Sequence, residues 1–131
     1  MIARPWHGVT PTGLAEEYTR YVAETGVRET RATPGNSGVL VLRRVAGGHA
    51  DFLFTSFWES PEAIRRFAGA NLERAVYYPR DREFLEALEP AVTHYEVVEP
   101  PGTPFVLGNG TGARRTADLS DAYRRILRIP G

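Results

Sequence analysis

One stretch of eight residues, Asp51-Phe52-Leu53-Phe54-Thr55-Ser56-Phe57-Trp58, constrains the fold more than any other. As a strand it puts Phe52, Phe54, Ser56 and Trp58 on one face and Leu53, Thr55 and Phe57 on the other, so bulky apolar groups stand on both sides. Each face then needs a cover. One layer of helices covers one face, and in a chain of 131 residues the other is expected to pack on a second sheet, supplied by another subunit.

Composition narrows the chemistry. The length suits a single domain with a modest tail, and 42% apolar residues suffice for a core. Cysteine is absent, which excludes disulfides, zinc-thiolate sites, iron–sulfur clusters and a thiol nucleophile. All 16 basic side chains are arginine, so no lysine can form a Schiff base. Net charge is zero but uneven: residues 1–99 hold 11 Arg against 14 acids and residues 100–131 hold 5 Arg against 2 acids. The arginines are scattered rather than clustered, which argues against a nucleic-acid surface. No apolar run is long enough to span a bilayer, and the N-terminal residues lack the apolar core of a signal peptide, so the expectation is a soluble, cytoplasmic protein without a membrane partner.

Taken in order, residues 2–9 read as a strand with Pro5 at an edge or bulge. Thr10-Pro11 reads as a helix start, and Leu14, Tyr18, Tyr21, Val22 and Thr25 share one helical face until Gly26. Residues 27–37 read as a loop containing Pro34-Gly35-Asn36. A strand over 38–45 joins the Asp51–Trp58 strand through Ala46-Gly47-Gly48-His49, a compact hairpin connection. Ser60-Pro61 caps a second helix carrying Ile64, Phe67, Ala68, Leu72, Ala75 and Val76, with Gly69 as a candidate break. A shorter helix over 80–88 precedes a last strand over 92–98. The order β-α-β-β-α-β predicts an α+β, ferredoxin-like fold with a four-stranded antiparallel sheet over residues 1–99. Beyond it lies a C-terminal extension, 100–131: a Pro/Gly-rich linker and a short helix with Leu119, Tyr123, Ile126 and Leu127 on one side, expected to pack on the core or on the partner subunit. Its Gly108-Asn109-Gly110-Thr111-Gly112 run lacks the strand, lysine and helix of a phosphate loop and reads as a connector.

Three stretches resemble the antibiotic biosynthesis monooxygenase-type family of dimeric α/β-barrel proteins. They are Met1-Ile2-Ala3-Arg4 leading to Trp6-His7-Gly8, then Trp58-Glu59-Ser60 with Glu62-Ala63-Ile64 and Phe67-Ala68-Gly69, and finally Thr93-His94-Tyr95-Glu96-Val97. The resemblance implies a homodimer with facing sheets and a pocket in each subunit between sheet and helices. It also implies a small aromatic or polyketide-like ligand, with cofactor-independent oxygenation as the leading activity. The other readings it implies are a non-catalytic ligand-binding or stress-associated barrel, a haem-binding or haem-degrading protein, and a cofactor-free polyketide cyclase. No cofactor is the first expectation and haem the less favoured one, because where haem-degrading members carry a histidine after a helical tryptophan this chain has Tyr77-Tyr78 after Phe67. Where aromatic-polyketide oxygenases carry an asparagine ahead of the strand-end tryptophan, it has Phe54.

Against that frame the catalytic candidates are His7, His94 and Tyr77. Either histidine has the intrinsic pKa of a general base near neutrality, the competing reading being a hydrogen-bonded histidine at a sheet edge or interface. A Tyr77 phenol could orient an enolate or phenolate. Trp6, Phe54, Trp58, Phe67 and Tyr78 are the candidate ligand-binding residues, and strand alternation allows only one of Trp6 and His7 to face the pocket. The spacing of His7, His49 and His94 suggests no metal site.

Overall fold

A computed structural model describes residues 1–102; the glycine run and the C-terminal helix expected beyond them lie outside the described residues. Strand β1 (Ile2–Pro11) is followed by helix α1 (Ala15–Val22), a π-helical turn (Ala23–Val27) and helix α2 (Arg28–Ala32). Strands β2 (Asn36–Ala46) and β3 (His49–Trp58), helices α3 (Pro61–Ala68) and α4 (Asp81–Phe84), and strand β4 (Tyr95–Glu96) complete the described order. The sheet runs β2-β3-β1-β4 with every neighbour antiparallel, which is the ferredoxin-like arrangement expected from the element order.

Gly47 and Gly48, both at positive φ (60° and 80°), make the two-residue turn between β2 and β3, the backbone that a tight twisted hairpin demands. In β3, Phe52 packs edge-on against Tyr18 of α1. Trp58 at its far end is fully buried with Ala63, Ile64 and Ala68 of α3. The helix-facing parity of the Asp51–Trp58 stretch therefore holds two clusters together, one under α1 and α4 and one under α3. On the opposite face, Leu53 of β3 lies directly across from His7 of β1 and Leu42 of β2. Leu53 and Leu42 are 44% and 49% exposed.

Several segments depart from the sequence reading, among them the helix expected over 80–88, which spans only Asp81–Phe84. Thr10-Pro11 ends β1 rather than capping a helix, and the chain enters α1 through a turn at Thr12–Leu14 with no side-chain cap. Gly26 does not end the helical segment: it sits inside the π-helical turn, where an added Cβ would meet the Phe54 ring at 3.4 Å, and the helix continues to Ala32. Gly26 is therefore an interior residue of the helical segment and not a left-handed cap, since its φ is not positive. Helix α3, expected to reach Val76, stops at Ala68, because Gly69 adopts φ 89° and its N–H returns to the Arg65 carbonyl.

The last strand is shorter than its apolar pattern predicts. Val92 N–H donates to the Glu73 carbonyl, Ala75 N–H to the Pro90 carbonyl, and Ala91 bridges to Arg74. The chain before Tyr95 thus pairs with 73–75 instead of β1, leaving only Ile2 and Ala3 of β1 with a β4 partner. Pro5 falls beyond that pairing, where a residue without an N–H is tolerated.

The α3 cap is as expected. Ser60 Oγ accepts the Ala63 N–H at 3.2 Å, with Pro61 at the first helical position. Ser60→Ala should cost about 1 kcal/mol, measured as a lower urea midpoint at unchanged slope; no shift would show that tertiary packing alone sets the start of α3.

Candidate functional site

Between the helix-facing side of the sheet and the layer above it runs a cleft. It has about 500 Å³ of atom-free space with its mouth included, and about 50 Å³ in which the centre of a water molecule can move. Its floor is Arg4 and Trp6 of β1 with Phe54 and Ser56 of β3. Tyr18, Val22, Thr25 and Gly26 form one wall; Phe67, Val76, Tyr78, Asp81 and Val92 form the other. The second wall includes the irregular chain between α3 and α4. A ligand of the usual size for a pocket of about 300–1,000 Å³ therefore has to part these walls.

Strand alternation resolves the choice between Trp6 and His7. Trp6 faces the cleft, and its indole folds back over Gly8, where an added Cβ would fall 2.2 Å from the ring. Trp6 Nε1–H donates to Tyr77 Oη at 3.3 Å, and that hydroxyl donates to the Glu89 carbonyl at 2.6 Å. Burial chiefly raises the Tyr77 phenol above its ordinary pKa. Tyr77 thus braces the tryptophan from outside the cleft lining, whereas Tyr78, Phe54 and Phe67 belong to the lining itself. Trp58 does not. It lies behind Phe67, with ring centroids 5.6 Å apart, and its Nε1–H donates to Ser56 Oγ at 2.8 Å.

Neither candidate histidine lines the cleft. His7 is on the opposite face, with Nε2 3.0 Å from Asp51 Oδ1 and Nδ1 3.6 Å from Glu89 Oε1. It shares an open polar groove with His49, whose Nδ1 lies 2.6 Å from Glu86 Oε2. His94 sits beside Arg4, and its Nε2 accepts from Arg4 Nη1 at 2.9 Å. Its pKa is lowered, first by burial and then by the Arg4 charge, which favours the neutral ring that can accept this bond.

The cleft holds groups that a search for catalytic residue types passes over. Arg4 is only 3% exposed, and its guanidinium donates to the Leu72 and Arg74 carbonyls as well as to His94. Burial brings its pKa down to about 10. Asp81 is also buried, its oxygens accepting the Tyr18 hydroxyl at 3.3 Å and the Tyr78 N–H at 2.6 Å. Desolvation pushes the Asp81 carboxyl and the Tyr18 and Tyr78 phenols upward. The one signal for Arg4 in the sequence is its parity with Ile2 and Trp6.

No protein-family model matches the sequence, nor does any curated protein. Solved structures do. The haem-degrader MhuD from Mycobacterium tuberculosis, with two haems in its active site, is 22% identical with a TM-score of 0.52, covering 78% of this chain and 100% of its own. An MhuD point mutant with two manganese protoporphyrin IX molecules per active site matches at the same identity and TM-score, covering 78% of this chain and 99% of its own. At this identity the likeness establishes the shared fold. It also corrects one expectation: both structures of MhuD carry a metalloporphyrin, so the absence of any cofactor does not stand as the first expectation for this chain. Among the described residues no helix is long and apolar enough to cross a membrane.

Proposed function

We propose that the protein binds a planar aromatic small molecule in the cleft between sheet and helices, and that it does so as a homodimer joined through the open sheet face. The observation that carries the ligand class is the lining: Trp6, Phe54, Phe67 and Tyr78 present aromatic surface with Val22, Val76 and Val92 around them. Flat conjugated rings gain both area burial and ring-to-ring contact from such walls. Binding is favoured over catalysis as the reading because His7 and His94, the candidate general bases, lie outside the lining.

The porphyrins of the MhuD structures belong to this ligand class. The lining residues suit the ring, and no histidine stands among them to ligate an iron. Hemin and metal-free protoporphyrin IX should therefore quench the tryptophan fluorescence saturably, with affinities less than about 1.4 kcal/mol apart, or tenfold. Hemin binding far more tightly, with the Soret shift of axial ligation, would show that the protein does supply an iron ligand. Failure of both porphyrins, and of smaller planar aromatics, to bind would sink the proposal.

The dimer rests on Leu42 and Leu53, exposed cross-strand neighbours on the face that the helices leave uncovered.

A further inference from the structure

We infer that Arg4 is the receptor for an acidic group on the ligand, so that the cleft selects planar aromatic anions (carboxylates, enolates or phenolates) over neutral rings of the same shape. The inference rests on the cleft being a site for planar aromatics and names the chemistry of what enters it. Arg4 is almost wholly buried, yet among the described residues no carboxylate forms an ion pair with it; its acceptors are two backbone carbonyls and the imidazole of His94. A buried charge is costly unless paired, and here the compensation comes only from neutral dipoles and from the face of Phe67, 5.7 Å from the guanidinium carbon.

The hydrogen-bond count points the same way. Of the five guanidinium donors, three are taken, which leaves the Nε–H and one Nη2–H without a protein acceptor among the described residues. Arg4 also lines the cleft beside the aromatic floor, so a ligand seated there lies next to a guanidinium with donors to spare. Asp81, the acid in the same lining, does not occupy them, since its oxygens are bonded to Tyr18 and Tyr78. Arginine and aromatic floor together define a ligand that is flat at one end and anionic at the other.

The test compares 2-naphthoate with 2-naphthamide, equal in outline and different in charge, by calorimetric titration at pH 7. The wild-type protein should bind the carboxylate at least about tenfold more tightly. Arg4→Met should bring the ratio of naphthoate to naphthamide affinity to about one, and Arg4→Lys should retain part of the preference. Equal binding of the two probes by the wild type overturns the anion inference and leaves the planar-aromatic reading intact, whereas binding of neither counts against that reading itself. A preference that persists in Arg4→Met assigns the anion to another cation and overturns the inference. Should Arg4→Met fail to fold because the 72–74 segment loses its anchor, the wild-type pair of probes and Arg4→Lys still decide the question.

Discussion

Trp58→Ala lowers the folding free energy by about 3–5 kcal/mol, the cost of emptying a large aromatic site in a core that relaxes only in part. In a domain of this size, that corresponds to a fall in melting temperature of roughly 12–30 °C. The expectation follows from the position of the indole. It is 0% exposed and packs with Ala63, Ile64 and Ala68 of α3, Phe67 lies against one side of it, and its N–H is bonded to Ser56. Removing it leaves a void beneath α3 and takes a donor from a buried hydroxyl. Trp58→Phe fills most of the volume without the N–H and should cost much less. Calorimetric or urea unfolding of the two variants measures the difference. A loss below about 1 kcal/mol for the alanine variant would show that α3 is a loosely laid cover, and the boundary of the cleft at Phe67 would lose its support.

The second large effect is on assembly. The wild-type protein should sediment at about twice the 14.6 kDa chain mass at micromolar concentration, and Leu53→Arg should sediment as a single chain. Leu53 stands in the row His7–Leu53–Leu42 across three strands of the uncovered face. In a two-fold dimer any residue near the axis appears twice, so one substitution buries two unpaired guanidinium groups, each costing several kcal/mol. A dissociation constant raised by about 100-fold or more is expected. The circular dichroism spectrum should be retained, since Leu53 is exposed within the single chain. A wild type that is monomeric at these concentrations removes the dimer proposal, and a dimeric Leu53→Arg variant moves the interface elsewhere.

The sheet and the hairpin at Gly47-Gly48 were legible in the sequence because their signals are local: alternation, β-branched residues and a turn that needs two positive φ angles. The errors arise where tertiary contacts reassign a local signal. Gly26 carries the residue type of a helix end, but its φ is not positive and the helical segment runs through it to Ala32. Residues 92–94 carry a strand pattern, yet the Val92 N–H goes to the Glu73 carbonyl and the His94 ring to the side chain of Arg4.

The lining of the candidate cleft was legible in its aromatics and not in its charges. Trp6, Phe54, Phe67 and Tyr78 could be assigned to a cavity from chain order and resemblance, and all four line the cleft. Trp58 shares the parity of Phe54, and only the packing of α3 and Phe67 over it takes it out of the lining. An arginine on a strand reads as a solvated side chain until the segment that covers it is placed. The segment covering Arg4 is irregular chain at residues 72–74, although Leu72, Ala75 and Val76 carry helical spacing in the sequence.

Gly8 sets an aperture. Because no atom stands on its cleft-facing side, the Trp6 indole can lie down along the strand within 2.2 Å of where a Cβ would be. Any side chain at position 8 would turn the ring upright into the space above, with its hydrogen bond to Tyr77 as the tether it must break or drag along. On the proposed reading of the cleft, a methyl group at position 8, outside the lining, would change the space left above the Trp6 ring without altering any lining side chain.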